Sequence, residues 1–553
     1  MSLISVKNNE TVINYGELRA LVVDDYPGMR SALKLTLSNF GMTRIDLAAN
    51  ATEVLFKVQN NRYDLILSDF NLGEGRDGQQ LLEELRHRHL ISLSTVFIMV
   101  TAEAGYEKVV ATAELAPDDY LIKPFSAELM RNRLEGILLR KLTFAKVYRH
   151  FEDHELEEAV AGCDEIIRSS PRFLVDALRF KGEVLNAMGR FDEAEALYRK
   201  IIEMRAIPWA RLGLAKALHN LKKEEEAESL LRDVLDQSSE VVAAYDLLAE
   251  VRVARKDLAG AQEALQKGVA ISAKTVRRQQ RLGEVAFDNG DLEVAREAYS
   301  TALEKGRNSV FVSAEDYGHL CRVQVEQGDV NGALETLKKN KTVLQGSPEG
   351  QFVGAVVRSI AHAKAGNTAE AEKAIDEAAN LNKDGARSDG RFMLDFAGAC
   401  MATGRQEQAD AIIREVARNA HDSEALLAKA RSIYEKAGRG EAGKQLLKEA
   451  TAGVRNLNNE AVILAQKGNY ALAMEKLREA CWEAPHNPRI LMNAVWVMLK
   501  HLEQSGMDED IMEQARAFLL DAEKQAPGHT RLATLRAQMK DVEARYGIRR
   551  RSN

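Results

Sequence analysis

A small residue recurs along the chain with a nearly constant period, and this period constrains the fold more than any other feature. Alanines stand at matching places in segments of the type G-x-(F/D)-x-x-A, and the first five are separated by 35, 33, 34 and 34 residues. Because small residues let antiparallel helices approach closely, a repeat of this length predicts stacked helix pairs. The alanines are Ala159, Ala194, Ala227, Ala261, Ala295, Ala333, Ala371, Ala409 and Ala473.

The clearest repeat reads ALRFKGEVLNAMGRFDEAEALYRKII. It has Gly182 in its first helix, Gly189 at the turn, and Ala194 with Tyr198 in its second helix. This order resembles the tetratricopeptide repeat, and the resemblance covers about ten or eleven units that are less regular between residues 336 and 453. It implies an α-solenoid of tetratricopeptide-type helix pairs that binds other proteins. We expect loops or irregular units over 340–350 and 382–390, and a final capping helix over 531–546.

The first 140 residues have a different pattern, in which short apolar β-rich runs alternate with segments of helical periodicity. Helices are predicted over 29–39, 53–60 and 78–89. Five strands alternating with helices imply a doubly wound, flavodoxin-like parallel sheet with right-handed crossovers. The fold class is therefore α/β plus all-α. The predicted strands are 20–25, 44–48, 65–69, 94–102 and 119–125.

Polar side chains follow these predicted strands at the point where each strand ends. Asp24 and Asp25 leave the first strand, Asp69 the third, Thr101 the fourth and Lys123 the fifth. Parallel strands bring these ends to one edge of the sheet. Three carboxylates there would repel one another unless a cation or protons neutralised them, and a hard ion such as Mg²⁺ suits oxygen ligands. The ammonium and hydroxyl groups could hold a phosphoryl group arriving at Asp69.

The segment resembles the receiver domain of bacterial two-component response regulators. The residues that carry the resemblance are Asp24-Asp25, Asp69 within SDFNL, Asp77-Gly78, Thr101-Ala102 and Lys123-Pro124. One departure is the loop over 73–77, which lacks the usual proline and is one residue longer than is typical. No departure removes a chemical group from the site.

The resemblance implies a role for each residue at this edge. Asp69 is the implied phosphoacceptor, and Asp24, Asp25 and Asp69 are the implied Mg²⁺ carboxylates. The backbone carbonyl of Asn71 is a further implied metal ligand. Asn71 and Glu103 also resemble the pair that orients the hydrolytic water in chemotaxis receivers with fast turnover, although both equally fit solvated loop residues.

The same resemblance assigns the switch residues. Thr101 would contact the phosphoryl oxygen, and the small Ala102 would keep access to Asp69 open. Tyr120 would change rotamer with phosphorylation, and Lys123 would pair with Asp69 or its phosphate. The switch would reorganise the face formed by the fourth strand, the fifth strand and the last helix.

Composition and the lack of long apolar runs limit which partners and which cellular compartment we expect. The formal charge of −7 and pI near 6.0 argue against a nucleic-acid partner, and the widely spaced four cysteines indicate neither a disulfide framework nor a zinc site. The start of the chain lacks the pattern of a signal peptide, and no apolar run is long enough to span a membrane. We expect a cytoplasmic protein.

We expect four regions: an extension over 1–17, a receiver over 18–140, a repeat superhelix over 141–527, and a capping helix with a basic tail over 528–553. Helical spacing continues from Ser126 to Phe151 without a cluster of Pro or Gly. The last receiver helix therefore either runs directly into the repeats or turns near Lys141.

These features predict a response regulator that is phosphorylated on Asp69 by a histidine kinase or phosphotransfer protein and acts as a protein-interaction adaptor. Outside the receiver's own phosphotransfer and autodephosphorylation, no catalytic motif is present. Two alternatives stay open: a phosphate sink that competes for a shared kinase, and a protein that sequesters another signalling protein in either phosphorylation state. The family also makes a receiver homodimer through the last helices a reasonable expectation.

Overall fold

The computed structural model describes residues 4–7, 10–73, 75–102, 116–153, 155–204, 207–273, 275–383, 388–421, 423–526 and 530–546. The chain divides into two compact units, Met1–Val312 and Ser313–Asn553. Within the described ranges, no helix is both long enough and apolar enough to cross a membrane.

The first unit opens with an antiparallel hairpin of β1 (Ile4–Lys7) and β2 (Glu10–Ile13), which the sequence analysis did not predict. A parallel sheet follows, with strand order β4-β3-β5-β6-β7. This confirms the doubly wound receiver architecture. The strands are β3 (Arg19–Val23), β4 (Arg44–Ala48), β5 (Leu65–Asp69), β6 (Val96–Thr101) and β7 (Asp119–Ile122), and the helices between them are α1 (Pro27–Asn39), α2 (Ala51–Asn60) and α3 (Gly78–His87).

The sheet is buried on both faces, and its central strands are apolar except at their ends. Leu21, Ile66 and Phe97 pack with α2 and α3 in one core. Val22 and Leu67 point to the opposite face and pack with α1 and the last receiver helix. Two-sided burial explains why these strands read as continuous apolar runs.

A single helix, α4 (Ala127–Glu152), joins the sheet to the repeats. It begins at Ser126, whose Oγ accepts a hydrogen bond from the Leu129 amide at 3.1 Å. Lys141 lies inside the helix rather than at a turn, so of the two alternatives the continuous helix is the one found. Its buried ammonium contacts Asp118 at 2.8 Å and donates to the Leu93 carbonyl at 2.7 Å. These contacts fix the first helix of the repeats to the receiver.

Helix pairs make up the rest of the first unit, which confirms the solenoid pattern. They are α5 (Leu156–Ser169), α6 (Leu174–Ala187), α7 (Phe191–Met204), α8 (Pro208–Asn220), α9 (Glu224–Gln237), α10 (Val242–Ala254), α11 (Leu258–Ile271), α12 (Val276–Asp288) and α13 (Leu292–Lys305). Short 3₁₀ helices lie at Tyr15–Glu17 and Pro171–Phe173.

The second unit continues with helix pairs of less uniform length. They are α14 (Ala314–Glu326), α15 (Val330–Lys339), α16 (Lys341–Leu344), α17 (Pro348–Lys364), α18 (Thr368–Lys383), α19 (Gly390–Ala402), α20 (Gln406–Asn419), α21 (Glu424–Lys436), α22 (Gly440–Gln466), α23 (Tyr470–Glu483), α24 (Pro488–Ser505), α25 (Glu509–Gln525) and α26 (Thr530–Arg545). The last of these lies where the final capping helix was expected.

The less regular stretch between residues 336 and 453 contains helices of unusual length. The predicted loop over 340–350 contains the one-turn helix α16 and the first turn of α17. In the other predicted loop, over 382–390, residues 384–387 lie outside the described residues. The basic tail also lies outside them. Farther on, α22 runs for 27 residues and joins two repeats without a turn.

The recurring small residues are buried where helices meet, as their period predicts. All nine alanines of the repeat pattern are at most 1% exposed. The alanine pattern has a gap between Ala409 and Ala473, and Gly443, 34 positions after Ala409, occupies it. A Cβ at Gly443 would lie 2.5 Å from Tyr434 Cβ, so this site needs glycine rather than alanine.

The packing of Tyr198 gives a testable consequence. Its ring is 2% exposed and lies between Gly182 and Gly213, where an added Cβ would come within 2.5 Å of ring atoms in each case. We expect Gly182→Ala to lower the free energy of unfolding by about 1–2 kcal/mol, because contacts this short cost about 2–3 kcal/mol in overpacking and helix propensity returns only about 1 kcal/mol. Urea unfolding of the full chain, followed by tryptophan fluorescence, measures the change.

Gly136→Ala is the matched control for this prediction. Gly136 also lies inside a helix, α4, but an added Cβ would meet nothing within 4 Å. This variant should be as stable as the wild type or more so, because only the propensity gain applies. Equal stability of the two alanine variants would contradict the packing argument.

Candidate functional site

The carboxyl ends of β3 and β5 bring three carboxylates together, as the sequence predicts. Asp24, Asp25 and Asp69 each present an oxygen within 4.8 Å of the others. Asp24 is 1% exposed, Asp25 is exposed and Asp69 lies between these extremes. The group is therefore open to solvent on one side and closed on the other.

Lys123 provides the positive charge at this edge. Its Nζ lies 3.1 Å from Asp24 Oδ2 and 3.3 Å from Asp69 Oδ1. The residue follows β7, and its amide donates to the Thr101 carbonyl at 2.7 Å. The peptide bond between Lys123 and Pro124 is cis. A single ammonium thus contacts two of the three carboxylates.

Burial raises the pKa of Asp69, the nearby Asp24 carboxylate raises it further, and the charge of Lys123 acts in the opposite direction. The Phe70 amide donates to Asp69 Oδ1 at 2.9 Å, which also favours the ionised form. The site therefore concentrates negative charge that one ammonium balances only in part. Such an arrangement suits a divalent cation with oxygen ligands.

Of the remaining predicted residues, the structure describes Thr101, Ala102, Tyr120 and Asn71. Thr101 ends β6 and is 2% exposed, and the following Ala102 is exposed. Tyr120 is 7% exposed, and its ring belongs to the core between the sheet, α2 and α3. Asn71 is exposed, and its Oδ1 accepts the Gly73 amide at 3.2 Å. Glu103 lies outside the described residues.

Gly78, the first residue of α3, is held where β5 ends. Its amide donates to the Phe70 carbonyl at 2.7 Å, and an added Cβ would lie 2.8 Å from Met99 Sδ. Asp77 caps the helix by accepting the Gln80 amide at 2.8 Å. The Asp-Gly pair in the sequence thus has a structural cause, because it starts α3 directly against Asp69.

Sequence reasoning missed two features near the site. Gly73 has a positive φ of 77°, and an added Cβ there would lie 3.6 Å from Asp25 Oδ2. The guanidinium of Arg30 donates to the backbone carbonyl of Asp24. The glycines at 73 and 75 were the only sequence signal for the first feature, and a single arginine on α1 gave none for the second.

Comparison with known proteins agrees with both patterns. The family model "Response regulator receiver domain" matches residues 20–135, and the model "Tetratricopeptide repeat" matches residues 185–251. The chemotaxis protein CheY of Pseudomonas aeruginosa is 30% identical over 123 residues, which cover 22% of this chain and 98% of that protein.

Solved structures give the same two likenesses. The chemotaxis response regulator CheY4 of Vibrio cholerae is 29% identical, and the match covers 22% of this chain and 98% of that chain with a TM-score of 0.20. YrrB, described as a TPR protein with an unusual peptide-binding site, is 18% identical, and the match covers 34% of this chain and 93% of that chain with a TM-score of 0.30.

Proposed function

We propose, from the premise that this chain belongs to the response regulators that carry a receiver domain, that phosphorylation of Asp69 controls which proteins its tetratricopeptide repeats bind. The observation that carries the proposal is the convergence of Asp24, Asp25, Asp69 and Lys123 at one edge of a receiver sheet. The phosphoryl donor is a histidine kinase or a phosphotransfer protein. We assign residues 18–140 to the receiver and 141–527 to the repeats, in a protein of the cytoplasm.

The chemistry of the donor set fits Mg²⁺. Asp24, Asp25 and Asp69 supply carboxylate oxygens, and Asn71 would add its backbone carbonyl, so every ligand is a hard oxygen. Mg²⁺ bound there would neutralise charge on the oxygens of the transferring phosphoryl group.

In this proposal each side chain of the site has a role in phosphoryl transfer. A carboxylate oxygen of Asp69 attacks the phosphorus, the bond from phosphorus to the donor breaks, and the donor leaves with that electron pair. The Lys123 ammonium stabilises the phosphoryl oxygens, and the Thr101 hydroxyl contacts one of them. The exposed Ala102 leaves the approach to Asp69 open. Asn71 and Glu103 would orient the water that later hydrolyses the acyl phosphate.

The repeats supply the output in this proposal. Stacked helix pairs present an extended surface that suits a peptide or helix of a partner protein. The continuous helix α4, with Lys141 held on Asp118, fixes the first repeat to the receiver. Because the connection is a continuous helix rather than a flexible linker, a conformational change in the receiver can be transmitted to the first repeat.

Incubation of the full chain with acetyl phosphate tests the first step. We expect intact-mass measurement to show one added phosphoryl group when Mg²⁺ is present and almost none when EDTA removes it. Equal labelling with and without EDTA would contradict a Mg²⁺-dependent site, and no labelling in either condition would contradict phosphorylation by small donors.

A further inference from the structure

The receiver contacts the repeats at a second place, far along the sequence from α4. The side-chain Nδ2 of Asn308 donates to the backbone carbonyl of Gly75 at 2.8 Å. The Gln80 Nε2 donates to the carbonyl of Lys305 at 3.2 Å. The repeat residues belong to the end of α13 and the turn after it. We call the hydrogen bond between Asn308 and Gly75, with the contacts beside it, the latch.

An aromatic contact extends the latch along α3. The rings of His87 and Phe311 lie 5.0 Å apart in an edge-on arrangement. Phe311 is itself fixed to α12, because the Arg277 guanidinium lies 4.9 Å from its ring centre and the Gln280 Nε2 donates to its carbonyl at 2.7 Å. The turn that holds Asn308 is therefore anchored to the repeat stack.

The other end of the latch reaches the acidic site. Gly75 lies two positions after Gly73, whose Cα faces Asp25 closely enough that an added Cβ would be 3.6 Å from the carboxylate. The Gly73 amide also donates to the side chain of Asn71 at 3.2 Å. A few residues of backbone therefore connect the group around Asp25 with the side chain of Asn308.

The latch combines hydrogen bonds with one aromatic contact, and a cavity lies beside it. A cavity of about 350 Å³ borders Asn308, Gly75, Arg76 and the first turn of α2, which begins at Ala51. Contacts of this kind between parts of one chain resemble transient interfaces, which form and separate readily. The same surface of the receiver is covered by the chain's own repeats while the latch is closed.

We infer that the latch couples occupancy of the acidic site to the repeats through the loop between β5 and α3. This inference rests on the proposed function and names a structural route for the coupling. The route differs from the face of β6, β7 and the last receiver helix that the family resemblance implies. The closed latch already orders the loop. The loop therefore loses less conformational entropy when a cation binds to the Asn71 carbonyl. By linkage, a cation that binds the ordered loop more tightly also favours the closed latch.

Mg²⁺ titration of the full chain by calorimetry tests the inference. Asn308→Ala removes the donor, and Asn308→Leu keeps about the same size but cannot donate a hydrogen bond to the Gly75 carbonyl. We expect both variants to bind Mg²⁺ about fivefold more weakly than the wild type, the factor that corresponds to one net hydrogen bond. The control is Asn220→Ala, which removes an exposed hydrogen bond to Lys216 within α8 and should leave the affinity unchanged.

A second readout uses hydrogen exchange and needs no variant. Mg²⁺ should slow amide exchange over 306–312 by about the same factor in the wild type, because linkage is reciprocal. Unchanged or tighter Mg²⁺ binding in both Asn308 variants would overturn the inference. Changes below about twofold in every protein captured with and without beryllofluoride would instead overturn the proposed function, so the two failures are distinguishable.

Discussion

Replacement of Asp69 by asparagine should abolish labelling by acetyl phosphate and Mg²⁺. The amide is a poor nucleophile and removes one of the three carboxylates whose oxygens lie within 4.8 Å of one another. The side chain keeps its size, so the buried end of β5 should keep its packing. Intact-mass measurement of the full chain, followed by peptide mapping, gives both the extent and the position of labelling.

Glu128→Gln is the matched control for this experiment. Glu128 is an exposed carboxylate in the first turn of α4 and lies outside the acidic group. This variant should be labelled at the rate of the wild type. Labelling of Asp69→Asn at an undiminished rate would contradict the assignment of the phosphoacceptor.

Replacement of Lys123 by alanine should slow labelling by about 100-fold, the usual cost of losing one preorganised group that stabilises transition-state charge. The ammonium contacts both Asp24 and Asp69, so its loss leaves the carboxylates to repel the incoming phosphoryl group. Raising the Mg²⁺ concentration should restore only part of the rate, because the ion cannot replace a group held at a different position. Initial rates of labelling measure the effect.

Lys34→Ala controls for the general loss of a positive charge. Lys34 is exposed on α1 and contributes no contact to the acidic group in the described structure. We expect less than about a twofold change in rate, because exposed charges at such distances are screened by salt. A similar loss in both lysine variants would mean that long-range attraction of the donor, rather than the position of Lys123, sets the rate.

Much of the site was predictable because parallel topology fixes where strand ends lie. Once the apolar runs were recognised as parallel strands, Asp24, Asp69 and Lys123 had to meet at one edge. The observed strands begin or end within a few residues of the predicted ones, for example β3 at Arg19–Val23. The repeat period likewise predicted the buried alanines, because helix packing tolerates only small residues there.

The rest depends on contacts that leave no periodic trace in the sequence. Asn308 and Gly75 are 233 positions apart, and neither residue type is unusual in a loop. The hairpin of β1 and β2 is short and precedes the first apolar run. Gly443 broke the alanine pattern because the ring of Tyr434 fills the space that a Cβ would need.

The central claim is that phosphorylation of Asp69 changes what the repeats bind, and differential capture tests it most directly. The full chain is immobilised with Mg²⁺, with and without beryllofluoride, and bound proteins from one extract are quantified by mass spectrometry. We predict that at least one bound protein changes by about fivefold or more, as typical coupling energies imply, and that Asp69→Asn removes the difference. Changes below about twofold for every bound protein would contradict the claim and would favour the phosphate sink.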